Sequence, residues 1–145
     1  MTTNRQLLIV DDNPADIGLA REAMKQCAPG CQISSVEDGV EALAFLERRY
    51  KYKTAPRPDL VILDLNLPKR GGLAVLAAMR AGPALRSIPV IIFSTSKLSK
   101  DVVRSYELGA NCYVCKPGNL TEFFGAMKSI EQFWFGSATL PPRGE

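Results

Sequence analysis

The residues best equipped for chemistry stand directly after short apolar runs. Asp11 and Asp12 follow residues 7–10, and Asp64 follows 60–63. The hydroxyls Ser94, Thr95 and Ser96 come at the end of the run 90–93, and Lys116-Pro117 follows 112–115. Three carboxylates gathered in one place repel one another, and a bound divalent cation is the simplest relief. Carboxylate oxygens, with water filling the remaining positions, suit Mg²⁺ rather than zinc or copper. A cation beside a carboxylate, with an ammonium and a hydroxyl nearby, matches phosphoryl transfer to that carboxylate. The transferred group spreads charge over three oxygens, which metal, ammonium and hydroxyl or N–H donors can share. Aspartate is an established covalent acceptor of phosphate. Taken alone, Asp12 or Asn13 also reads as a plain helix N-cap.

The chain contains no histidine. That excludes Ser-His-Asp and Cys-His arrangements and any zinc site with a His ligand. Any phosphohistidine chemistry must therefore be supplied by another protein.

Placing these groups together requires a particular fold. The runs 7–10, 33–36, 60–63, 90–93 and 112–115 are short and mostly aliphatic or β-branched, as suits strands buried on both faces of a parallel sheet. Stretches with helical spacing alternate with them. The first helix starts at Pro14 with Asn13 as its cap, and Ile17, Ala20, Met24 and Cys27 form one stripe. The second runs over about 39–50, burying Val40, Leu43 and Leu46. Leu73, Leu76 and Met79 mark a third, ended by Gly82-Pro83, and Val102, Val103, Tyr106 and Leu108 a fourth, ended by Gly109. The fifth begins near Asn119 and carries Leu120, Phe123, Phe124, Met127 and Ile130. Five strands alternating with five helices predict an α/β, doubly wound (βα)5 fold with right-handed crossovers. In such folds the ligand site lies beyond the carboxyl ends of the strands, where Asp11, Asp12, Asp64, Ser94 and Lys116 fall.

At 145 residues, 46% hydrophobic and 23% charged, the chain has the balance of one globular domain. Its net charge is only +3 and its basic residues are scattered, so nucleic acid is not the expected partner. The N-terminus shows neither a signal peptide nor a membrane span, and a cytoplasmic setting with reduced cysteines is expected. Cys112 and Cys115 have C-x-x-C spacing but lie on a strand, where residues three apart face opposite ways. With Cys27 and Cys31 they read as small, buried, reduced hydrophobes. The basic stretch 48–58 reads as a solvated loop extending the second helix.

Four stretches carry a resemblance: LLIVDDNPAD (7–16), DLNLPKRGG (64–72), IPVIIFSTS (88–96) and GANCYVCKP (109–117). Together, and in this order over residues 5–134, they resemble the signature motifs of bacterial response-regulator receiver domains, which have a flavodoxin-like fold. The resemblance implies that Asp64 is the phosphoacceptor, with Asp12 a direct Mg²⁺ ligand and Asp11 a second acid. Asn66 would give its backbone carbonyl to the metal. Ser94 is implied as the switch hydroxyl, with Thr95 as fallback, Lys116 as the active-site lysine and Tyr113 as the switch aromatic. Pro68 and Gly72 match the family's loop spacing, and a cis Lys116–Pro117 bond would be consistent with it.

On that basis residues 1–135 are expected to form the receiver and 136–145 a tail too short for an output domain. The expected partner is a sensor histidine kinase. The aromatic run 133–135 and the Leu140-Pro141-Pro142 tail resemble regulators paired with bacterial phytochrome kinases. One or two of those aromatics should stay exposed, or else Phe133 and Trp134 finish the packing of the fifth helix. A homodimer through the fourth helix, fifth strand and fifth helix, with the tail reaching across, is expected. The rival reading is a haloacid-dehalogenase-like phosphatase acting through an aspartyl phosphate. Such enzymes need a second Asp two positions after the nucleophile, where this chain has Asn66, and a neutral amide cannot do acid–base work.

Overall fold

The computed structural model describes residues 5–142. Five strands, β1 (Gln6–Val10), β2 (Gln32–Val36), β3 (Leu60–Leu63), β4 (Val90–Ser94) and β5 (Cys112–Cys115), alternate with five helices. These are α1 (Pro14–Cys27), α2 (Gly39–Leu46), α3 (Gly72–Ala81), α4 (Ser99–Glu107) and α5 (Leu120–Glu131). All strand pairings are parallel, in the order β2-β1-β3-β4-β5. The order reverses between β1 and β3, so the loops that leave these two strands diverge and open a crevice at their carboxyl ends.

Side-chain alternation along the central strands divides the core in two. Leu8, Val10, Val61, Leu63, Val90 and Ile92 meet α2 and α3, whereas Leu7, Ile9, Leu60, Ile62, Ile91 and Phe93 meet α1 and α5. Asn13 caps α1 by accepting from the N–H groups of Ala15 (2.9 Å) and Asp16 (3.3 Å), with Pro14 in the first turn, as the sequence predicts.

Several expectations are corrected. Only β1, β3 and β4 are buried on both faces; β2 and β5 are edge strands with half-exposed side chains. α2 stops at Leu46 rather than near residue 50. There the Arg49 N–H donates back to the Ala44 carbonyl (2.9 Å) and Arg48 takes a left-handed φ of 56°. The stretch 48–58 is accordingly no simple helical extension. A 3-10 turn, Tyr50–Tyr52, folds back so that Tyr52 packs edge-on to Phe45 and its hydroxyl donates to Glu41. Val40, expected in the buried row of α2, is exposed. Leu120 on α5 is also exposed, as are Val103 (55%) and Tyr106 (49%) on α4, where only Ser105 is buried. The four cysteines are free, but Cys115 is exposed and the others are half-buried, so none is a fully buried hydrophobe. Among the described residues no peptide bond is cis, so Lys116–Pro117 is trans, the ordinary lower-energy form of an X-Pro bond.

Of the aromatic run, Phe133 is exposed while Trp134 and Phe135 pack against the α1–α5 core. They lie on a π-helical turn, Gln132–Ser137, that continues α5 past residue 135. No helix of the described residues is long and apolar enough to cross a membrane.

One guanidinium holds the far end of the sheet together. Arg80, in the last turn of α3, donates to the carbonyls of Gly109 (2.9 Å), Arg86 (3.0 Å) and Ile88 (2.9 Å) and to Asn111 Oδ1 (3.0 Å). Gly109 sits at φ 104°, and a Cβ there would press on the Arg80 side chain, which accounts for glycine at the end of α4. Arg80→Met removes all four bonds and leaves half-buried acceptors unpaired. It should lower the unfolding free energy by about 2–4 kcal/mol. Urea unfolding checks this, and a loss below about 0.5 kcal/mol would show that the guanidinium holds nothing.

Candidate functional site

The site grows from backbone bonds at the carboxyl edge of the sheet. The Asp11 N–H donates to the Val36 carbonyl (3.1 Å) and the Asp64 N–H to the Val10 carbonyl (2.9 Å). The first residue after β1 and the first after β3 are thereby set side by side. Across the sheet the Lys116 N–H donates to the Ser94 carbonyl (2.8 Å), which fixes where the lysine leaves β5. Gly72 lets the loop after β3 fold back onto this edge. Its N–H reaches the Leu65 carbonyl (3.0 Å), and any Cβ would overlap the Asp64 carbonyl.

The Lys116 ammonium lies at the centre. It donates to Asp11 Oδ2 (2.8 Å), Asp16 Oδ2 (2.8 Å) and Asp64 Oδ2 (3.0 Å), so its three protons have three carboxylate acceptors. Its side chain is only 5% exposed, and it lies 5.9 Å from the centre of the Phe93 ring. Burial works against its charge, but the hydrogen bonds from Asp11, Asp16 and Asp64 outweigh that and hold its pKa above the ordinary lysine value. Burial pushes the Asp11 carboxyl above the usual carboxylate value, against the pull of Lys116 and of the Asn13 N–H, which donates to Asp11 Oδ1 (2.9 Å).

Asp12 completes the acidic cluster. Carboxylate oxygens of Asp11, Asp12 and Asp64 all lie within 4.8 Å of one another, with Asp12 exposed and the other two buried. Four carboxylates, counting Asp16, therefore face one ammonium, leaving three negative charges uncompensated. The donor set is hard oxygen with an open, solvent-facing side at Asp12, which fits a Mg²⁺-like cation that keeps part of its water.

The remaining candidates stand around this centre. The Asn66 N–H donates to Asp64 Oδ1 (3.3 Å). Ser94 is fully buried at the end of β4, its hydroxyl accepting from the Ser96 N–H (3.2 Å), whereas Thr95 is exposed. Tyr113 is half-buried and donates its hydroxyl proton to the Ser96 carbonyl (2.8 Å), tying β5 to the loop before α4. The structure thus brings Asp11, Asp12, Asp64 and Lys116 into one cluster, with Ser94 and Tyr113 on the adjoining strands.

Asp16 escapes the sequence reading. An acid in the first turn of a helix is ordinarily read as complementing the helix dipole. Only its distance of five residues from Asp11, across a capped turn, hints that it shares the strand edge.

Comparison with known proteins agrees with this geometry. The sequence matches the response regulator receiver domain over residues 7–128. The response regulator Rcp1 of Synechocystis sp. is 42% identical over 135 residues, covering 93% of this chain and 92% of Rcp1. The crystal structure of the phosphorylated cyanobacterial phytochrome response regulator RcpA superposes with a TM-score of 0.94 at 44% identity, covering 97% of this chain and all of that one. The Mn²⁺-bound form of Rcp1 gives a TM-score of 0.91 at 41% identity, covering 95% and 99%. The dehalogenase-like alternative is not favoured. With its parallel five-stranded sheet, this chain belongs to the response regulator receiver domain family and is a domain of two-component signalling.

Proposed function

We propose that this chain accepts a phosphoryl group from a partner histidine kinase onto Asp64, in a Mg²⁺-dependent reaction, and relays or drains the signal through a conformational switch. One observation carries the reading: a buried Asp64 carboxylate held 3.0 Å from a buried ammonium, within an acidic cluster that has charge to spare for a cation. Asp11, Asp12 and Asp64 side chains and the Asn66 carbonyl would hold the metal. When bound, it offsets the negative charge that otherwise keeps a phosphoryl group away from a carboxylate.

The chain's own residues do the rest. An Asp64 carboxylate oxygen attacks phosphorus, the bond to the donor imidazole nitrogen breaks, and the imidazole leaves with its electron pair. Lys116 moves from an Asp64 oxygen to a phosphoryl oxygen, a short shift for a compact ammonium. Ser94 turns to donate its hydroxyl proton to another oxygen, and that rotation draws its oxygen away from the Ser96 N–H it now accepts from. That loop is the one Tyr113 holds through the Ser96 carbonyl, so the tyrosine is placed to follow it. The phosphoryl group acts by favouring one of two conformations, and its effect is bounded by its differential affinity for them. Residues 1–135 serve as the receiver unit, with the following residues as a tail.

The likeness to RcpA, a cyanobacterial phytochrome response regulator, supports a bacteriophytochrome as the kinase. A homodimer through α4, β5, α5 and the tail is supported by the exposed Val103, Tyr106, Leu120 and Phe133, which leave apolar surface uncovered.

Incubation with a phosphohistidine-bearing kinase and Mg²⁺ should label the protein, and Asp64→Asn should remain unlabelled. Stable labelling of that variant on another residue would refute the assignment. Mg²⁺ should also raise the melting temperature, since it binds only the folded acids. Asp12→Asn should abolish most of that rise, and a full rise in the variant would place the cation elsewhere. Sedimentation at micromolar concentration should show a dimer that Val103→Glu dissociates; a wild-type monomer with and without phosphorylation would remove the dimer.

A further inference from the structure

Asp16 is used by nothing in the mechanism above, yet it makes one of the two shortest contacts to the lysine. Its Oδ2 lies 2.8 Å from Lys116 Nζ, joining the first turn of α1 to the loop between β5 and α5. It is 22% exposed at a helix end where a carboxylate could face solvent, and it faces the lysine instead.

The three acceptors of the Lys116 ammonium are not equivalent. Asp11 and Asp64 belong to the cluster whose oxygens lie within 4.8 Å of one another, which a cation would draw together. Asp16 does not belong to that cluster. A divalent cation arriving beside Asp11 and Asp64 competes for two of the lysine's partners and repels its positive charge. Asp16 is then the one carboxylate acceptor of Lys116 left outside that cluster. Its own position is firm: the Asp16 N–H is capped by Asn13, and the adjacent Ile17 is buried in the α1–α5 core.

We propose that Asp16 is a positioning residue that keeps the Lys116 ammonium at the Asp64 carboxylate while the cation is bound. It rests on the reading of Asp64 as phosphoacceptor, and it adds that the lysine needs an acceptor the metal does not contest. Asp16 touches neither the phosphoryl group nor the cation; it acts through Lys116. Without it the ammonium is free to leave the site when the cation enters.

The test uses the full chain with Asp16→Ala and Asp16→Asn. The first readout is the ammonium signal of ¹⁵N-labelled lysine, with and without Mg²⁺. Without the cation, Lys116 should give an ordered signal in wild type and in Asp16→Ala, because Asp11 and Asp64 hold it. With Mg²⁺ the signal should persist in wild type and vanish in Asp16→Ala. A general structural role would weaken it under both conditions. The second readout is labelling by acetyl phosphate with Mg²⁺, which should slow about tenfold in Asp16→Ala and less in Asp16→Asn, which keeps an acceptor oxygen. A Lys116 signal that survives Mg²⁺ in Asp16→Ala, or labelling as fast as wild type, overturns the proposal. If wild type itself fails to label, the phosphoacceptor reading fails, while the lysine spectra still decide the role of Asp16.

Discussion

A single buried ammonium shared among three carboxylates is the constraint on which this molecule turns. Charges out of water are costly, and Asp11, Asp64 and Lys116 are all buried. The cluster persists because each Lys116 proton finds an acceptor and because rigid elements hold the acceptors in place. Asp11 and Asp64 hang from neighbouring parallel strands, Asp16 from a capped helix end, and Lys116 from the edge strand on the far side. Antiparallel pairing would send these groups to opposite ends of the sheet. The parallel order, with its reversal beside β1, is what gathers them at one edge.

That arrangement is deliberately unbalanced in charge. One ammonium cannot neutralise four acids, and carboxylates held this close repel one another unless a positive charge lies between them. Stability and function pull against each other here, as is usual where like charges are kept together. Phe93 is buried in the α1–α5 core, edge-on to Phe123, and presents its ring 5.9 Å from the ammonium. An ammonium near the face of an aromatic ring is stabilised there without a further fixed negative charge.

From this centre the path outward is short. Ser94, Ser96 and Tyr113 link the site to the start of α4, through the Ser94 hydroxyl and the Ser96 carbonyl. α4 contributes only Ser105 to the buried interior, so moving it disturbs little packing. An element with few buried apolar contacts sits at the low-stability end of a fold. Arg80 holds the opposite end of the sheet through four hydrogen bonds.

The apolar runs and their spacing determine the five strands, the cap and start of α1, and the strand-end placement of Asp11, Asp12, Asp64, Ser94 and Lys116. These are legible because period and local capping are properties of neighbouring residues, whereas only the strand order shows that β1, β3 and β4 are the central, fully buried ones. The tertiary structure alone decides that α2 ends at Leu46, since the folding back of Tyr52 onto Phe45 is a contact between separate segments. It alone decides that Val103 and Tyr106 of α4 are exposed, because an amphipathic stripe does not say whether a neighbour covers it. And it alone reveals Asp16 as the lysine's third partner. That pairing spans a hundred residues, and nothing in the local sequence separates such an acid from one that merely answers the charge of a helix end.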